Sequence, residues 1–150
     1  MNIVLLAPEI PGNTGSLGRT AVALNGRLIL IEPLGFDLSE KAVRRAGLDY
    51  WKYVNLTVYP SFEEFLAKEE ALDDDLFFFE NHQEQTVFDA KFSKNSYLIF
   101  GGETQGIPAS LLERYPNKIY SLPMFSDQIR SLNLSNAATA VCYECLRQTQ

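Results

Sequence analysis

The stretch NIVLLAPEIPGNTGSLGRTAVALNGRLILIEP, residues 2–33, decides the fold class. Residues 2–7 are almost wholly apolar and of strand length. Residues 8–15 are rich in Pro and Gly and read as a loop. Asn13 is positioned to cap the helix that follows, with Ser16 as a second capping hydroxyl. Leu17, Ala21 and Leu24 then recur at i, i+4 and i+7, the buried stripe of a helix that stops near Gly26. Residues 28–31 form a second apolar run, which Pro33 and Gly35 close. Strand, helix and strand in this order predict a parallel-sheet unit with the helix as its crossover.

The same alternation continues outward. Ser39 caps a short helix through Arg45 that ends at Gly47, and residues 56–59 read as a strand. Ser61 with Glu64 is a capping box opening a helix over residues 62–71. An acidic turn at 73–75 precedes a strand at 76–79, and 97–100 is another, ending on Gly101 and Gly102. Pro108 starts a helical turn through Glu113, and 118–122 is a short strand closed by Pro123. Residues 134–147 are a helix with Leu134, Ala138, Val141 and Cys145 on one face. About six strands and five helices thus alternate over 150 residues, the size of one domain. The expected fold is α/β, a mostly parallel sheet with helices on both faces.

Composition narrows the class. At 46% hydrophobic the chain can bury a substantial core, yet no run of eighteen apolar residues exists, which excludes a membrane-spanning helix. The first residues lack a basic region and a cleavage site, so a secretory signal is not expected and the cytoplasm is. Cys142 and Cys145, three apart on a helix with His82 as the only histidine, read as packed, reduced thiols; no metal is expected. The net charge of −6 argues against broad nonspecific binding to nucleic acid but leaves room for a local basic patch. Lys41, Arg44 and Arg45 are the densest cationic cluster, while Arg19 and Arg130 stand alone.

Three loops carry chemistry. In PEIPGNTGSLGR (8–19), a helix N-terminus offers free N–H groups to an anion, and Arg19 faces away from the apolar stripe. In FGGETQGIP (100–108), directly after a strand, a Gly pair opens space for a flat group at the carboxyl edge of the sheet, with Glu103 beside it. In LPMFSDQIRSLNLSNAATAV (122–141), Ser131, Asn133, Ser135 and Asn136 exceed what capping one helix needs.

Together these loops resemble the SPOUT class of methyltransferases, and most closely the small tRNA (cytidine/uridine-34)-2'-O-methyltransferase family. NIVLLAPEIPGNTGSLGR (2–19), PLGFDLSEKAVRRAGLDYW (33–51), YLIFGGETQGIP (97–108) and LPMFSDQIRSLNLSNAATAVCYECLRQ (122–148) are similar to segments of that family, so the resemblance spans nearly the whole chain. It implies a C-terminal deep trefoil knot, a bent S-adenosyl-L-methionine held by the knot, and a homodimer packed through the knot with sites built from both subunits. It implies one domain over residues 1–150 without a separate RNA-binding domain, acting on a tRNA anticodon loop.

Carried over by position, the resemblance assigns Phe79, Gly101, Leu122 and Ser131 to the cofactor, and Arg19, Asn13, Glu103, Asn133 and Tyr143 to catalysis. Arg19 is expected at the mouth of the cavity, clamping a phosphate and stabilising charge on the reacting oxygen, because an arginine is a poor base at neutral pH. Glu103 is expected to orient Arg19 or a loop N–H, and Tyr143 to position nucleotide or arginine. Lys41, Arg44, Arg45 and Arg130 are the expected tRNA surface. The chain departs from relatives at Gly102 and Gln105, and carries Glu80-Asn81-His82 where many have Thr-Lys-Gly. The lost lysine motivates an alternative, a non-catalytic RNA-binding dimer; the same chemistry on ribosomal RNA is another. A nucleotide-binding flavodoxin-like domain is disfavoured by the SLNLSN helix start.

Overall fold

The computed structural model describes residues 1–39 and 49–150. The chain runs β1 (Asn2–Leu6), α1 (Pro11–Ala23), β2 (Arg27–Ile31), β3 (Asn55–Tyr59), α2 (Phe62–Glu69), β4 (Leu76–Phe79), β5 (Tyr97–Phe100), α3 (Ala109–Arg114), β6 (Ile119–Tyr120) and α4 (Leu134–Thr149). Short 3-10 turns cover Trp51–Tyr53, Asp73–Asp75 and Pro116–Lys118. All pairings are parallel, in the order β3-β2-β1-β5-β4-β6. The helix expected over residues 39–45, with Lys41, Arg44 and Arg45, lies outside the described residues.

Strand periodicity sorts the core into two layers. Ile3, Leu5, Leu28, Leu30, Leu98 and Phe100 face one way and pack with Leu17 and Ala21 of α1 and Ala138, Val141, Cys142 and Cys145 of α4. Val4, Leu6, Ile29, Ile31 and Ile99 face the other way, against Phe62 and Phe65 of α2 and Leu111 of α3. A parallel sheet covered on both faces needs continuous apolar strands, which β1, β2, β4 and β5 supply. Burial pushes the thiols up, to about 12 for Cys142 and about 11 for Cys145, and both are free, as expected for packed thiols.

The chain moves outward from β1 to β2 and β3, then crosses to build β4, β5 and β6 on the other side. The reversal falls between β1 and β5, so the carboxyl ends of these strands open a crevice. From β4 to β5 the chain follows a long irregular crossover, and this segment grips the end of β6. Ser121 donates its N–H to Gln85 O and accepts from the Val87 N–H, at 2.9 and 2.8 Å. The following segment returns to the sheet centre as α4, packed beneath the same crossover: Val87, Ala90 and Phe92 share a core with Ala138 and Val141, and the Phe92 N–H donates to Gln148 Oε1. This packing of the C-terminal segment against an earlier crossover is consistent with the trefoil-knot fold.

Two boundaries differ from the sequence reading. Helix α1 begins at Pro11, not after Gly15, so Asn13 lies inside its first turn and does not cap it; the extended residue before the helix is Ile10, which has no side-chain cap. Proline suits the first helical position because its missing N–H would be unpaired there anyway. Strand β6 is two residues, shorter than expected, because beyond Tyr120 the chain bonds to the irregular crossover.

At the amino end of the sheet, far from the crevice, Glu69 accepts two hydrogen bonds from Arg27 and one each from the Tyr59 and Tyr97 hydroxyls. These donors, Arg27 first, hold its carboxyl at about 2. A carboxylate lowered in the folded state stabilises the fold above its ordinary titration range, near 4.5, and that stability is lost as pH falls through about 2. The contribution at neutral pH, reduced by partial solvent screening, is about 1–2 kcal/mol. Thermal melts are therefore expected to fall steadily below pH 5, and Glu69→Gln to flatten the curve between pH 5 and 2; an identical acid slope in the variant would refute the assignment.

Candidate functional site

The start of α1 lacks a local side-chain cap, and a carboxylate from ninety residues away bonds the two residues that lead into it. Glu103, on the loop after β5, accepts the main-chain N–H of Glu9 at 2.7 Å and of Ile10 at 3.2 Å. It also accepts Nδ2 of Asn13 at 2.9 Å. The anion expected at this helix start is thus a side chain of the protein, favoured by the unpaired N–H groups and by the helix dipole. Thr104 returns the contact, donating its N–H and hydroxyl to the Glu9 carboxylate, which these bonds hold below the usual range.

The chain of bonds continues into the third loop. Asn13 Oδ1 accepts Nδ2 of Asn133 at 3.0 Å. Asn133 Oδ1 in turn accepts the Ser135 hydroxyl at 2.7 Å and the main-chain N–H groups of Ser135 and Asn136, capping α4. Each amide is used on both ends, as donor to one loop and acceptor from another. Glu103, Asn13 and Asn133 therefore join three segments that are remote in sequence. Of the two roles expected for Glu103, the structure shows the second: it orients loop N–H groups.

These loops frame a cleft of about 760 Å³ at the carboxyl edge of the sheet. All four cofactor candidates, Phe79, Gly101, Leu122 and Ser131, border it, together with Asn13, Glu103, Asn133 and Arg130. Phe79 stacks on Phe100 at 5.1 Å, giving a rigid aromatic floor. A mixed polar and apolar lining drawn from three loops, and a size in the range of nucleoside-scale ligands, fit an adenosyl group.

Gly101 acts differently from expectation. Its missing side chain does not leave room for a ligand: a Cβ there would lie 1.9 Å from the Gly106 carbonyl carbon. The loop 101–107 folds back onto Gly101, so glycine is required for the loop to close.

Sequence reasoning missed Glu80. It borders the cleft, and its carboxylate accepts the Ile107 N–H at 3.1 Å and the Asn81 N–H at 2.9 Å. It thereby ties the end of β4 to the loop after β5. Its position directly after the apolar run 76–79 was the available signal. Met124, Leu134 and Val141 also border the cleft.

Two catalytic candidates are not gathered with the rest. Arg19 and Tyr143 are not among the residues that border the cleft within a single chain. Both are exposed, on the neighbouring helices α1 and α4, which touch through the Thr20 and Thr139 hydroxyls at 2.9 Å. Lys41, Arg44 and Arg45 lie outside the described residues. Among the described residues no cluster of metal-binding side chains is found, and no helix is long and apolar enough to cross a membrane.

Comparison with known proteins gives a consistent picture. The family model described as the SpoU rRNA methylase family matches residues 1–143. A tRNA (cytidine(34)-2'-O)-methyltransferase of Burkholderia cenocepacia is 44% identical, covering 98% of this chain and 94% of its own. A structure solved for 2'-hydroxyl methylation of C/U34 on tRNA superposes with a TM-score of 0.87 at 43% identity, covering 98% of this chain and 94% of that one. The SpoU methyltransferase AviRb of Streptomyces viridochromogenes, solved with S-adenosylmethionine, superposes at 0.83 with 30% identity, covering 99% of this chain and 57% of that one. With the knotted α/β architecture, the cleft and these likenesses in agreement, the chain belongs to the SpoU family of SPOUT-class methyltransferases.

Proposed function

We propose that this protein methylates the ribose 2'-hydroxyl of the wobble nucleotide, cytidine or uridine 34, of tRNA, using S-adenosyl-L-methionine. The observation that carries the reading is the Glu103–Asn13–Asn133 relay, which joins three loops around a cleft lined by Phe79, Gly101, Leu122 and Ser131. Relatives that match nearly end to end are tRNA methyltransferases acting at nucleotide 34.

When bound, the cofactor supplies an electrophilic methyl group on a sulfonium. The chain's part is alignment and charge. Main-chain groups at Gly101, Leu122 and Ser131 would hold the adenosyl portion in the cleft that Phe79 also borders. Arg19 supplies a permanent cation that clamps a substrate phosphate and stabilises charge on the attacking oxygen. Arg130, at the cleft, and Lys41, Arg44 and Arg45 contribute positive surface for the anticodon loop, whose unstacked nucleotides expose the 2'-hydroxyl.

A homodimer supports this arrangement. Phe125, Ile129, Leu132 and Tyr143 are large side chains left 101%, 50%, 42% and 53% exposed beside the cleft loops and on α4. Exposed large side chains of this kind suit burial in a second copy. In that dimer Arg19 and Tyr143, which miss their own cleft, serve the site of the partner copy. We place the reaction in the cytoplasm on this single domain, in keeping with the free, buried cysteines.

The test is methylation of total tRNA from a strain lacking the gene, with the modified nucleoside mapped by mass spectrometry. A 2'-O-methyl group at the first anticodon position is the expected result. Cofactor binding without transfer to tRNA would favour a non-catalytic RNA-binding dimer, and transfer only to ribosomal RNA would move the substrate.

A further inference from the structure

Tyr50 and Arg19 come from different segments and form one unit. The Arg19 guanidinium lies over the Tyr50 ring, 4.5 Å from its centroid. The Tyr50 hydroxyl donates to the main-chain oxygen of Gly15 at 2.8 Å. Gly15 stands four residues before Arg19, so the hydroxyl is anchored on the turn of α1 that carries the arginine. The next residue, Trp51, completes the docking: its ring sits against Gly18, where a Cβ would come within 2.7 Å of it. Residues 50 and 51 are thus keyed to α1 at Gly15, Gly18 and Arg19. Burial pushes the Tyr50 phenol up, with the Arg19 charge opposing, so its hydroxyl stays protonated through neutral pH.

We propose that Tyr50 is a positioning residue for Arg19, its ring fixing the direction of the guanidinium and its hydroxyl fixing the ring. The inference rests on the reading of Arg19 as the cation at the reacting 2'-hydroxyl. A long arginine on an exposed helix face samples many rotamers, and alignment is what this reaction asks of the protein. The electron-rich ring face favours the charged guanidinium, which suits a permanent cation and not a proton acceptor.

A double-mutant cycle in the full-length protein tests it, with kcat on tRNA, cofactor affinity by calorimetry and melting temperature measured for each variant. Tyr50→Leu is expected to lower kcat about tenfold with cofactor affinity unchanged within about twofold. Tyr50→Phe, which keeps the ring but loses its anchor on Gly15, is expected to lie between wild type and Tyr50→Leu. The double variant Arg19→Ala/Tyr50→Leu is expected to be no slower than Arg19→Ala alone, because Tyr50 acts through the arginine. Wild-type kcat in Tyr50→Leu beside an inactive Arg19→Ala overturns the proposal and leaves the role of Arg19 standing. A further tenfold loss in the double variant overturns it as well. Full activity of Arg19→Ala sinks the reading of Arg19 itself and this inference with it. Should Tyr50→Leu fail to fold, the wild-type NMR spectrum decides: Arg19 side-chain resonances, identified by their loss in Arg19→Ala, must show a ring-current shift, and unshifted resonances contradict the pairing.

Discussion

Arg19→Ala is expected to lower kcat and kcat/KM on tRNA by roughly 10²–10³-fold, the scale of losing a charged donor to a developing anion. Cofactor affinity should stay within about twofold, because Arg19 is assigned to the substrate phosphate and the attacking oxygen, not to the cofactor. Equal falls in kcat and kcat/KM indicate an interaction made in the transition state; a rise in KM alone would mean only substrate docking. Arg19→Lys keeps the charge but loses the planar fork, so it should recover only a fraction of the rate. If mixed dimers form, pairing Arg19→Ala chains with chains defective in the cleft should restore activity at one of the two sites. Retained activity in Arg19→Ala would remove the arginine from the mechanism.

The second large effect concerns Glu103. Its carboxylate is the acceptor for two main-chain N–H groups and the Asn13 amide at the start of α1. Glu103→Ala leaves these donors without a partner and is expected to cost about 3 kcal/mol of stability. For a chain of this length that corresponds to a fall in melting temperature of roughly 8 °C. Asn13 then loses its orientation toward Asn133, so cofactor affinity should also fall, by about tenfold or more. Glu103→Gln keeps one acceptor oxygen and should lie between wild type and Glu103→Ala in both measurements. Unchanged melting and unchanged cofactor affinity in Glu103→Ala would mean that the relay does not hold the cleft.

Much of this was legible in the sequence because the controlling forces are local. Strand–helix alternation, the apolar faces of α1 and α4 and the capping box of α2 are all set within a few residues, and the sheet and its two covered faces follow. Phe79, Gly101, Leu122 and Ser131 were placed by motif, and the fold does bring them to one cleft. What escaped was set by distant partners. PGNTG looked like loop because its turn residues outweigh helix propensity; it is helical, with Glu103 holding the preceding N–H groups of Glu9 and Ile10 and the Asn13 side chain. The crossover between β4 and β5 has no period to read, so its grip on Ser121 was invisible. Asn13 looked like a cap because asparagine usually is one, but its side chain spans two other loops. The placement of Arg19 over Tyr50 depends on how residues 50 and 51 return to α1, which no local pattern encodes.

Every role assigned to the three loops requires the cofactor to occupy the cleft between them. Amide chemical shifts of the isotope-labelled protein, followed during titration with S-adenosyl-L-methionine, test this directly. The prediction is saturable shifts at Gly101, Leu122 and Ser131, with Arg27 and Glu69 at the opposite end of the sheet unmoved. Shifts clustered around Arg27 and Glu69, or none at the three loops at saturating cofactor, would contradict it.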